Sequence, residues 1–121
     1  MRARLRQLVC PDVDDLEKWS PPEGPFGIGL VAKIGPSDAD GEESFGMTLC
    51  TPEWFAAQRM RDQTIRSGTQ TLFVKRYDYR AIKAFIERAV ARAEGDTWTD
   101  VANKLSWLGH WEFASYRPYL E

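Results

Sequence analysis

A chain of 121 residues with 43% apolar and 12% aromatic side chains can bury one hydrophobic core, and its length fits a single domain over residues 1–121. Its net charge of −2, with 28% charged residues, is neither the basic balance of a nucleic-acid-binding domain nor the composition of a disordered chain. No apolar run approaches the ~18 residues of a membrane span and the opening MRARLRQLVC lacks a secretory h-region, so we expect a cytoplasmic protein whose two cysteines, Cys10 and Cys50, are reduced and buried.

Arg2 to Val9 alternates Arg2, Arg4 and Arg6 against Ala3, Leu5 and Val9, as a half-buried strand with a basic outer face would. It stops at Cys10-Pro11. Residues 12–25 form an acidic loop with two adjacent prolines, pinned to the body by Leu16 and Trp19. Phe26–Ile34 is a second strand, and its glycines suggest a bulge or a close backbone approach. Asp40-Gly41 marks the turn of a hairpin into a third strand, Ser44–Cys50, with Phe45, Met47 and Leu49 on one face. Thr51-Pro52-Glu53 opens a short helix that runs to about Arg59, with Thr at the N-cap, Pro at the first position and an acid in the first turn. Residues 60–69 read as a loop and Thr71–Val74 as a fourth strand.

Asp78 caps a longer helix over Tyr79–Ala93, closed by Gly95. Its inner stripe is Tyr79, Ile82, Phe85, Ile86, Ala89 and Val90. Thr97 caps a last helix that places Trp98, Val101, Ala102, Leu105 and Leu108 on one face, with Gly109 set to end it at positive φ. His110, Trp111 and Phe113 then alternate with Glu112 as a short strand. Trp98, Leu105, Leu108 and Trp111 are expected to be largely buried against Ile82, Ile86 and Val90. The order β-β-β-α-β-α-α-β predicts an α+β domain, an antiparallel or mixed sheet of roughly four to five strands with about three helices packed on one face.

The charges are segregated. Residues 11–53 hold ten acids and two lysines, a net −8, whereas residues 54–93 hold nine bases and three acids, a net +6. Asp12, Asp14, Asp15 and Glu17 follow the first strand, where a divalent-metal or phosphotransfer site would want carboxylates. The chain is too short for the parallel-sheet enzymes that use such a pair, so the plainer reading is a solvated acidic loop. Asp38, Asp40, Glu42 and Glu43 resemble a calcium loop only faintly, because the glycine comes one ligand early and no distal Glu follows; they read as a hairpin tip. His110, the single histidine, could pair with Cys10 or Cys50 as a thiol–imidazole catalyst. Both cysteines, however, end strands rather than start helices, where a thiolate would be favoured. The basic face of the 79–93 helix could meet phosphates, although it lacks interleaved aromatics for base stacking.

Three blocks carry a family resemblance: PDVDDLEKWSP at Pro11–Pro21, GEESFGMTLCTPEW at Gly41–Trp54, and EGDTWTDVANKLSWLGHWEF at Glu94–Phe113. In that order and spacing they resemble the immunity protein 8 family, small bacterial proteins encoded beside polymorphic toxins, including those of contact-dependent growth inhibition. Residues 55–78 carry no part of it. The resemblance implies an α+β fold, a cytoplasmic location, no cofactor and no catalytic residues. It implies as partner the cognate toxin C-terminal domain of a delivered effector, and neither a membrane nor nucleic acid. Many such toxins are nucleases with basic clefts, so the expected contacts are the two acidic segments: Asp12, Asp14, Asp15 and Glu17, and Asp38, Asp40, Glu42 and Glu43. The alternatives are a small enzyme using Cys10 or Cys50 with His110, and a nucleic-acid-binding module.

Overall fold

The computed structural model describes residues 1–114. Its elements run β1 (Ala3–Val9), β2 (Gly27–Pro36), β3 (Glu43–Cys50), α1 (Pro52–Arg59), β4 (Thr71–Phe73), α2 (Tyr79–Arg92), α3 (Trp98–Lys104) and β5 (His110–Trp111). The order is the expected one, and the result is an α+β domain on a mixed sheet. β1, β2 and β3 pair antiparallel in sequence order. β4 returns parallel to β3 and pairs with its Thr48–Cys50 end, while β5 pairs antiparallel with Phe45 and Gly46 on the same edge.

The period-two pattern of β2 and β3 gives the sheet two unlike faces. Leu30, Ala32 and Ile34 alternate with Phe45, Met47 and Leu49 on the core face, and all six are buried. α2, α3 and the turns after α3 cover that face through Ile82, Ile86, Ala89, Val90, Val101, Ala102, Leu105 and Leu108. Together they form the core, and Cys10 is buried within it. α1 leans over one end of the opposite face. There its Trp54 ring lies directly over Gly27, so closely that a methyl group on that glycine would overlap the indole.

β1 departs from the expected alternation. Its register against β2 shifts between Leu5 and Gln7, leaving Arg6 as a bulge residue. A bulge inserts one residue, so every side chain beyond it changes face. Leu5 pairs with Ile34 and Leu8 with Ala32, both in line with the core, whereas Val9 pairs with Val31 on the opposite face. Arg6 is half-buried and is not part of a basic outer row.

The helix ends show how local signals hold up. Thr51, Asp78 and Thr97 are all N-caps, and Thr97 with Asp100 completes a reciprocal capping box. α3 is shorter than its apolar periodicity suggests, because it stops at Lys104 and residues 105–108 continue as turns. Gly109 is not at positive φ. It is needed for space: a Cβ there would sit 3.0 Å from the Cβ of Phe45, where the chain presses on β3. α2 likewise ends at Ala93 in an extended conformation rather than on a left-handed Gly95. Leu105 and Leu108 are buried at 0% and 1% exposure, but Trp98 and Trp111 are only half-buried, and Phe85 is 43% exposed at the margin of the inner stripe. Among the described residues no helix is long and apolar enough to cross a membrane.

Candidate functional site

The first acidic loop is acidic outside and apolar beneath. Leu16 is buried and Trp19 packs edge-on against Phe26 and Tyr77, with the Trp19 and Tyr77 centroids 4.9 Å apart. The Tyr77 hydroxyl donates to the Leu16 carbonyl at 2.5 Å. Burial pushes the Tyr77 pKa up to about 12, with smaller contributions from Tyr79, Cys10 and Asp15. The Asp15 carboxylate accepts from the backbone N–H of Glu17 and of Lys18, closing a local turn. This anchoring presents Asp12, Asp14, Asp15 and Glu17 to solvent on a fixed loop.

The hairpin tip at residues 37–42 is fixed from below by the bulge residue of β1. The Arg6 guanidinium donates to the carbonyls of Pro36 and Ala39 at 2.6 and 2.5 Å. Gly41, at φ +109°, brings its carbonyl onto Gly35, where any side chain would collide with it. Asp38, Asp40 and Glu42 stand exposed on this tip. Glu43, the fourth acid expected there, is half-buried and has a packing role. Its Oε1 accepts from Trp98 Nε1 at 2.6 Å and from Trp111 Nε1 at 2.9 Å, tying β3 to α3 and β5. Glu112 repeats the device in reverse by accepting from the Ser44 N–H at 2.8 Å.

The register fixes where the two acidic segments lie. Gly35 pairs with Arg4 near the start of β1, and Val31 pairs with Val9 at its end. The hairpin tip and the 12–17 loop therefore stand at opposite ends of β1 and β2, separated by roughly 20 Å of strand. They are nonetheless neighbours of one surface. Gly35, under the tip, shares its face with Gly29, Val31 and Lys33, and Asp12 lines a groove of about 530 Å³ on that same face. The groove floor is Gly29, Val31, Gly46 and Thr48, and its walls come from α1 and from the 66–71 segment. Arg59 lies 5.3 Å over the Trp54 ring, and Arg66 donates to the Arg59 carbonyl at 3.1 Å. Both arginines reach the groove, as does His110. No sequence pattern marks this open face; its one trace is the glycines of the second strand, which suggest a bulge or a close backbone approach.

The Cys–His arrangement is not assembled. His110 pairs with Gly46, and Cys50 lies four residues further along β3, about 13 Å away. Cys10 is on the far side of β2. Both thiols are free and buried. Burial also raises the Cys50 pKa, against a smaller lowering effect of Arg59, which disfavours the thiolate.

A different surface lies over α2 and α3. Phe85 and Trp107 are 43% and 52% exposed, and with Arg88, Arg92 and Lys104 they line a cleft of about 360 Å³. On the other side of Phe85, a groove of about 600 Å³ runs along Leu72, Phe73 and Val74 beneath Lys75 and Arg76. The first cleft holds Arg88 and Arg92 of the basic face of the 79–93 helix, and aromatics do flank it, Phe85 from the helix and Trp107 from the turn after α3.

Among known proteins, the family model described as Immunity protein 8 matches residues 3–116. No curated protein and no solved structure matches.

Proposed function

This chain belongs to the immunity protein 8 family, and from that membership we propose that it binds and neutralises the toxin C-terminal domain of a contact-dependent inhibition effector or another polymorphic toxin. It acts in the cytoplasm as a stoichiometric inhibitor and not as an enzyme. One observation supports placing the contact on the acidic segments. Asp12, Asp14, Glu17, Asp38, Asp40 and Glu42 are exposed, and among the described residues none of their carboxylates makes a hydrogen bond or an ion pair. The fold leaves these charges unused, and like charges held on rigid loops favour a positively charged partner. A nuclease toxin with a basic cleft fits that description, and an acidic surface would compete with its nucleic-acid substrate. Asp15 and Glu43 belong to the same segments, with part of their acceptor capacity taken up inside the fold.

The test is co-expression with the adjacent toxin domain. The parent chain is expected to protect cells, and Asp12→Asn/Asp14→Asn/Asp15→Asn and Asp38→Asn/Asp40→Asn/Glu42→Gln are each expected to weaken that protection. If the toxin still kills cells that make the parent, the immunity reading is wrong. If both triple variants protect fully, the contact lies elsewhere, with the Phe85–Trp107 surface next in line.

A further inference from the structure

Between the two acidic segments lies a sheet face with nothing packed on its middle. Trp54 covers it at Gly27, and the Lys33–Ser44 pair, bonded at 2.7 Å, closes it towards the hairpin. The uncovered length is that of about six extended residues, roughly 20 Å. We propose that this open face seats an extended, carboxylate-bearing segment of the toxin domain, with Arg59 and Arg66 taking its charge. The inference rests on the immunity reading above and specifies where and how the toxin is held.

Charge complementarity names the occupant. Arg59 and Arg66 both line the groove, and the single acid on its lining is Asp12. Among the described residues the one ion pair is Arg2–Glu94, so no described carboxylate neutralises either groove arginine. Their positions are partly set in advance, one by the Trp54 ring and the other by the Arg59 carbonyl. A guanidinium held in this way offers a fork of N–H donors that matches a carboxylate, and little freedom is lost on binding. The neighbouring Ser67, Thr69 and Thr71 add hydroxyls on the same wall.

The floor suits a main chain rather than a large side chain. Gly29 and Gly46 have ordinary φ values, and a methyl group on either would meet nothing within 4 Å. Neither conformation nor internal packing requires glycine at these positions, yet glycine in a strand weakens it. A second backbone settling onto the face gives both residues a purpose, because glycine permits the closest approach. With acids of this chain at both ends of the face and arginines along one side, the matching toxin surface is basic with carboxylates set within it.

The experiment measures affinity for the toxin domain by calorimetry, alongside melting temperature, for the parent and two double variants. Gly29→Ala/Gly46→Ala is expected to melt at or above the parent temperature while Kd weakens about tenfold or more. Arg59→Gln/Arg66→Gln is expected to weaken Kd by a similar factor, chiefly through faster dissociation. A stable glycine variant that binds like the parent overturns the contact with the floor. An arginine variant that binds like the parent overturns the carboxylate. A parent that does not bind at all overturns the immunity reading and this inference with it.

Discussion

Glu43 accepts from two indole N–H groups at once, so its removal strands both. Glu43→Ala is expected to cost about 2 kcal/mol in urea denaturation, and Glu43→Gln less, because the amide oxygen still accepts. Trp98→Ala is expected to cost about 3 kcal/mol, the lower end of the range for a large aromatic, since the ring is only half-buried. Tyr77 supplies a pH test. Its folded pKa of about 12 lies above the unfolded value near 10, so its contribution is complete below pH ~10 and is lost as pH rises towards ~12. Stability of the parent minus that of Tyr77→Phe, followed by denaturant titration, should stay flat up to pH ~10 and then shrink. The importance of Glu43 was not legible in the sequence. It stood in an acidic run, and only the fold brings Trp98 and Trp111 to it from more than fifty residues away.

At the level of elements, caps and turns were legible because their chemistry is local. Thr51, Asp78, Thr97 and Gly41 each do what their residue type dictates within a few positions. The bulge in β1 was not, since an extra residue in a strand has no signal in a short alternating run, and it moved Val9 to the face opposite the one the alternation indicates. Arg6 then became the clamp of the hairpin tip. Arg6→Ala removes two charged donors from the Pro36 and Ala39 carbonyls, with an expected loss of about 2 kcal/mol. Amide exchange should accelerate selectively at residues 37–42. Uniform acceleration across the sheet would mean that the tip is not held by this side chain. Gly109 misled for a related reason: its position suggested a helix end, whereas its purpose is contact with Phe45, which no local pattern records.

On the scale of the whole molecule, segregation of charge along the chain did not specify its segregation in space. Residues 11–53 carry −8, yet the register sends the two acidic segments to opposite ends of β1 and β2. An interface of ordinary size, about 800 Å² per partner, is on the order of 30 Å across and can span both ends together with the face between them. Association with a basic toxin should therefore slow as salt rises, since exposed charges are screened over ~10 Å at 0.1 M. Neutralising either segment should lower the on-rate more than it raises the off-rate. The most direct measurement is carbodiimide labelling of carboxylates in the free chain and in the toxin complex, read by mass spectrometry. The account expects protection of Asp12 and Asp14 together with Asp38, Asp40 and Glu42. Unchanged labelling at all five, with protection instead at Asp78, which lines the groove beside Phe85, would contradict it.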